Sequence, residues 1–207
     1  MLPEIAATGI ERASMLWLHG LGAPVDDLLP LAEALALPGI RHVFACAPVR
    51  RISLYAGQAM PAWYDLRSRD FFADADDAGI AASRDQVLAL RAELGTGPVF
   101  LGGFSQGAVI TAACALTAGA SLAGAVMLSG YVPPCCRGQT APTLPFFLTH
   151  GQQDEIIPPV WADDSLAWLE AAGARVASHR YACGHTVTPE MLADLRRWLA
   201  ARLADLT

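Results

Sequence analysis

Short apolar runs alternate with longer stretches of helical spacing along most of the chain. The runs at residues 15–18, 42–46, 99–101, 125–128 and 146–149 are too short for helices and predict buried strands, with a further strand at 176–181. Helical spacing fills the gaps between them. Residues 26–37 place Leu28, Leu31 and Leu35 on one side, and 76–94 do the same for Ile80, Val87, Leu90 and Leu94. Acidic residues open the second of these, where the helix dipole favours them. Residues 161–172 are another helical candidate. The last helix takes Thr188 as N-cap and Pro189 as its first residue, then buries Met191, Leu195, Trp198 and Leu199. This alternation predicts an α/β fold, with a mostly parallel central sheet and helices on both faces. Residues 48–65 break the rhythm with Pro, Gly and aromatics, and predict an excursion off the sheet of the kind that carries substrate contacts. With no repeat or linker in sight, residues 1–207 are expected to form one domain.

Composition changes the picture in a few places. From Gly95 to Cys136 there is no charged residue, long enough to suggest a membrane span. Glycines, Ser105, Gln106, Ser121 and Pro133-Pro134 interrupt it, and it divides into strand, helix and strand, the second strand at 122–129. A two-sided buried sheet accounts for it, so no integral membrane segment is expected. The net charge of −6 and the absence of a basic cluster argue against nucleic acid as a partner. All fourteen basic residues are Arg, which reads as the codon bias of a GC-rich bacterial genome. The five cysteines form no CxxC pair and lie mainly in apolar stretches, and residues 1–14 lack the apolar core of a signal peptide. Buried, reduced thiols and a cytoplasmic location are the expectation.

The candidate chemistry starts at Gly103-Phe104-Ser105-Gln106-Gly107, a G-x-S-x-G pattern between the apolar run 98–102 and the helix-capable 108–116. Strand, sharp turn and helix form the setting of a nucleophile elbow, in which a strained serine leaves no room for a Cβ two residues to either side. The competing reading is a glycine-rich turn whose serine caps a helix. A nucleophilic serine needs a base, a group that orients the base, and donors for an oxyanion. Downstream lie His150, His179 and His185. His179 falls inside a strand, His150 ends one, and His185 lies in the loop between the last strand and the last helix, the side on which open α/β sheets build sites. Asp154, in a loop after the 146–149 strand, is the candidate acid, with Glu155, Asp163 and Asp164 as competitors. The oxyanion donors would be the backbone N–H of Gln106 and that of Leu21, in the turn after the 15–18 strand. His19 would brace that turn.

Leu18-His19-Gly20-Leu21-Gly22, Met60-Pro61-Ala62-Trp63-Tyr64-Asp65, the Ser105 pentapeptide, His150-Gly151-Gln152-Gln153-Asp154 and Gly184-His185 occur together in this order. Across nearly the whole chain they resemble the phospholipase/carboxylesterase family, which includes acyl-protein thioesterases and small bacterial carboxylesterases. The resemblance implies a single-domain α/β-hydrolase fold, a Ser105–Asp154–His185 triad, and an oxyanion hole at Leu21 and Gln106. It also implies an acyl pocket built partly by the excursion that contains Met60, Trp63 and Tyr64; Leu21, Leu54, Met60, Trp63 and Val187 are expected to shape its depth. Two positions depart from the family's habit, Ala108 after the elbow and Thr186 after the histidine. Asp65 is expected to hold the excursion rather than react, and Cys183 to be a buried strand-end thiol. The dispersed histidines offer no metal-binding spacing and no cofactor motif is present. A small-molecule ester or acyl thioester is the expected substrate, cleaved through an acyl-enzyme. A hydrolase-fold protein that binds without turnover is the alternative from another class.

Overall fold

The computed structural model describes residues 2–138 and 143–206. Among the described residues, nine strands and five α-helices follow one another as β1 (Glu4–Ile5), β2 (Ala13–Leu18), α1 (Leu29–Leu35), β3 (Ile40–Ala45), β4 (Val49–Ile52), β5 (Gln58–Pro61), α2 (Asp77–Glu93), β6 (Val99–Phe104), α3 (Gln106–Ala118), β7 (Gly124–Leu128), β8 (Pro145–Gly151), α4 (Pro159–Ala171), β9 (Arg175–Tyr181) and α5 (Pro189–Ala204). Seven strands form the central sheet in the order β1-β3-β2-β6-β7-β8-β9. Only β1 runs antiparallel to its neighbour.

The period of two along each strand sorts the core into two layers. Leu16 and Leu18 of β2 face a cluster with Ile80 and Val87 of α2, the apolar residues of α3, and Leu169 of α4. Met15 and Trp17 face the opposite cluster, with Leu31 and Leu35 of α1 and Leu195, Leu199 and Leu203 of α5. The uncharged stretch is thus β6, α3 and β7. Every residue of α3 from Gln106 to Leu116 is buried, because the helix lies on the sheet with α2 beside it. Among the described residues no helix is long and apolar enough to cross a membrane.

Several local expectations need correction. The first helix is shorter than 26–37, covering only Leu29–Leu35. Pro30 explains its start, since proline lacks an N–H and its ring excludes a preceding helical turn. The excursion at 48–65 contains regular structure: β4 and β5 pair as a separate antiparallel hairpin. The chain then stays irregular until Asp76, whose side chain caps α2 by accepting from Gly79 N. The two-residue β1 was not foreseen. Of the thiols expected to be buried, Cys114 and Cys136 are; Cys46 and Cys135 are exposed, and Cys183 is only half-buried.

His42, on β3, shows how the apolar layers constrain a polar group. Its buried Nδ1 accepts from Trp17 Nε1 at 3.0 Å, so the ring must be neutral with its proton on Nε2. Burial lowers its pKa from 6.5 to about 4. As pH falls, the unfolded chain therefore binds this proton first. The stability from His42 is complete above 6.5 and is lost progressively down to about 4, a contribution on the order of 3 kcal/mol. Urea midpoints should fall between pH 7.5 and 4.5, and His42→Asn, whose Oδ1 can replace Nδ1 as acceptor, should flatten that slope. An unchanged slope in the variant would exclude His42 as its source.

Candidate active site

β6 ends at Phe104 and α3 begins at Gln106, so the whole change of direction falls on Ser105 (φ 54°, ψ −118°). A non-glycine residue at positive φ is strained by about 1–3 kcal/mol and persists only where its surroundings fix it. Ser105 N donates to Leu128 O at 2.9 Å, and Ser105 O accepts from Ala108 N at 3.0 Å. Its hydroxyl makes no capping hydrogen bond to α3, contrary to the helix-cap reading. The flanking glycines are a matter of contact. A Cβ on Gly103 would lie 2.3 Å from the Gly107 carbonyl carbon, and one on Gly107 would lie 2.1 Å from Leu18 O.

The loops that carry Asp154 and His185 follow adjacent strands, β8 and β9, and are stitched together. Gln152 N donates to Tyr181 O at 2.8 Å and Gln153 N to Cys183 O at 2.9 Å. The buried Asp154 accepts from Ile156 N and Ile157 N on Oδ1, both at 2.9 Å, and its Oδ2 lies 2.7 Å from His185 Nδ1. Of the competing carboxylates, two are paired elsewhere. Asp163 pairs with Arg180, Asp164 pairs with Arg137, and Glu155 is exposed at the cavity described below. His179 approaches Asp194 at 3.7 Å, away from the loop of Asp154. His185 has its ring 4.8 Å from that of Phe104, keeps Nδ1 on Asp154 and lines the same cavity as Ser105. Burial, followed by the charge of Asp154, raises the pKa of the Cys183 thiol, the wrong direction for a thiolate nucleophile.

The turn after β2 is held from three sides. His19 Nε2 accepts from Ala47 N at 3.1 Å, which fixes the proton on Nδ1, and Nδ1 donates to Gly20 O at 2.8 Å. Burial lowers the His19 pKa and keeps that arrangement neutral. Trp63 Nε1 donates to His19 O at 2.8 Å, and Gly22 N donates to Pro61 O at 2.8 Å. Leu21 is thereby fixed at the cavity wall. Across from it, the N–H of Gln106 belongs to the first residue of α3 and has no carbonyl one turn back within the helix. The Gln106 side chain has a task that sequence did not reveal: Oε1 accepts from Trp63 N at 2.8 Å and Nε2 donates to Tyr64 O at 2.7 Å.

Ser105, Gln106, His185 and Leu21 line one cavity of about 680 Å³. Leu54 lines it as expected, whereas Met60, Trp63 and Val187 are not among its described lining residues. Trp63 is fully buried because its indole N–H serves the Leu21 turn. Met60 packs its sulfur toward Gly22, and Val187 packs against the layer of α1 and α5. Tyr64 of the excursion does line the cavity, and the rest of the wall comes from Leu66, Phe71, Tyr131, Ile156 and Ile157. Phe71 stacks on Tyr131 and meets Trp161 edge-on at 5.1 Å. Burial pushes the Tyr131 phenol up to about 12, so this aromatic part of the wall carries no charge at working pH; Asp27, Arg69 and Glu155 are the charged residues that also line the cavity. Tyr131 follows β7 at the same sheet end as the other loops, the one signal that could have found it. Asp65 accepts from both Ser53 N and Ser53 Oγ and holds the hairpin to the chain beyond it.

The comparisons with known proteins agree with this fold. A family model described as Phospholipase/Carboxylesterase matches residues 4–203. Acyl-protein thioesterase 1 of Cryptococcus neoformans is 30% identical over 229 residues, covering 97% of this chain and 96% of the relative. The crystal structure of Zea mays acyl-protein thioesterase 2 superimposes with a TM-score of 0.83 at 27% identity, over 98% of this chain and 99% of that one. The Bacillus cereus carboxylesterase structure shares the fold, with a TM-score of 0.81 at 23% identity over 98% and 95%.

Proposed function

Because the chain belongs to the phospholipase/carboxylesterase family and is an ester hydrolase, we propose that it cleaves acyl esters through Ser105, His185 and Asp154. The observation that carries this reading is the strained Ser105 sharing a cavity with His185, whose Nδ1 is held by the buried Asp154. Ser105 Oγ attacks the acyl carbonyl while His185 Nε2 takes its proton. Asp154 stays ionised, holds the imidazole in the Nδ1–H tautomer and stabilises the imidazolium. The N–H groups of Leu21 and Gln106 receive the oxyanion. His185 then protonates the leaving group, and water admitted to the same base releases the acid from Ser105.

The apolar stretch of the wall formed by Leu21, Leu54, Leu66, Phe71, Ile156 and Ile157 favours an uncharged acyl chain. The relatives named thioesterases bring acyl thioesters into the reading beside oxyesters, and the same triad serves both. A binding protein without turnover would not need the strained Ser105 or the Asp154–His185 pair. Rates on p-nitrophenyl esters from C2 to C16, with matched thioesters, test the proposal. The kcat/KM should rise about fourfold for each methylene that finds the wall, at about 0.8 kcal/mol apiece, until the cavity is filled. No turnover of any ester or thioester would refute it.

A further inference from the structure

His150 lies in β8, four residues before Asp154, completely buried, and takes no part in proton transfer at Ser105. Its Nε2 is 2.8 Å from Ile157 O and 3.3 Å from Asp154 Oδ2. A carbonyl oxygen only accepts, so Nε2 carries the proton. That N–H binds the carbonyl and at the same time faces the carboxylate. Nδ1 is then left bare, buried and without a partner. The charged and titratable groups facing His150 are Asp154, His185 and Arg180 of β9. Burial outweighs the attraction of Asp154 and lowers the His150 pKa, so the ring acts as a neutral donor.

The arrangement encloses the turn that carries the acid. Ile157 N donates to Asp154 Oδ1, and Ile157 O accepts from His150. The ring therefore ties the far end of the turn back to β8, while its positive N–H edge faces the oxygen that also meets His185. We propose that His150 is a positioning residue for Asp154: its neutral Nε2–H pins the 154–157 turn to β8 and steadies the charge on Oδ2. The result is an Oδ2 kept on His185 while the imidazolium forms. The inference rests on Asp154 being the orienting acid.

Three substitutions separate the N–H from the bulk of the ring. His150→Leu removes the N–H at similar volume, and His150→Gln carries an amide N–H to the Nε2 position. His150→Asn ends nearer Nδ1 and cannot reach Ile157 O. Steady-state rates on a p-nitrophenyl ester are normalised to active sites counted by end-point fluorophosphonate labelling, and kcat/KM is followed against pH. His150→Leu should lower kcat per site about 10- to 100-fold at unchanged KM. Its acid limb should move to higher pH, because an Asp154 carboxylate with one donor fewer holds the His185 proton more strongly. His150→Asn should match it, and His150→Gln should regain most of the rate. If His150→Leu does not fold, the Gln and Asn pair carries the same decision. Equal rates and an unshifted acid limb in Gln and Asn would overturn the proposal. So would a His150→Leu protein with fewer active sites but wild-type kcat and acid limb for each, the signature of packing alone. Asp154→Asn at near-normal rate would remove the triad reading itself, whereas a crippled Asp154→Asn beside a normal His150→Leu removes only the role of His150.

Discussion

Ser105→Ala should abolish ester turnover, lowering kcat on the order of 10⁶-fold, and should abolish labelling by a fluorophosphonate. It should do so with the fold intact. The Ser105 hydroxyl makes no capping bond to α3, and the hydrogen bonds at this position come from its backbone N and O. Alanine retains both backbone groups and bears the same φ of 54° with the same strain. Thermal unfolding should therefore change little. The helix-capping alternative makes the opposite prediction, a loss of about 1 kcal/mol of stability with turnover unaffected. Retained turnover and labelling in the variant would remove Ser105 from the mechanism.

The parts of the site that could be read from sequence are those fixed by backbone position. Ser105, Asp154, His185 and Leu21 each follow a strand of the central sheet, and the ends of parallel strands fall on one side. Local pattern and chain order therefore singled them out together, and the structure brings Asp154 and His185 within hydrogen-bonding distance. The sheet was legible for the same reason, as runs such as 99–101 and 146–149 are apolar on both faces. The cavity wall was legible only in part, at Leu21, Leu54 and Tyr64. Trp63 and Tyr64 are neighbouring aromatics in one loop, yet Tyr64 lines the cavity while Trp63 spends its N–H on His19 O. Nothing local distinguishes them. Phe71, Tyr131 and Ile156 come from three separate loops whose meeting depends on tertiary packing. The side chain of Gln106 was hidden similarly, since its partners lie more than forty residues away, at Trp63 and Tyr64.

The same dependence of the site on backbone packing makes Gly107→Ala the most damaging small substitution to expect outside the triad. Its methyl group would lie 2.1 Å from Leu18 O, 2.6 Å from Leu18 C and 2.7 Å from His19 O. All three are backbone atoms, so no rotamer change relieves the overlap. Leu18 is held in the sheet by pairing with Ala45 on one side and Gly103 on the other. Either α3 must withdraw, carrying the Gln106 N–H with it, or the end of β2 must move, carrying Leu21. Each route separates the two proposed oxyanion donors, and losing one such donor costs about 10²- to 10³-fold in kcat. Overpacking against backbone should also cost about 3 kcal/mol or more, roughly 10 °C in melting temperature for a chain of this size. Gly97→Ala is the matched control, because a Cβ there meets nothing within 4 Å. Calorimetry and ester turnover on the pair should show Gly97→Ala near wild type and Gly107→Ala both unstable and slow. A Gly107→Ala protein with wild-type melting and wild-type kcat would mean that the contact between the start of α3 and the end of β2 does not hold the proposed oxyanion donors in place.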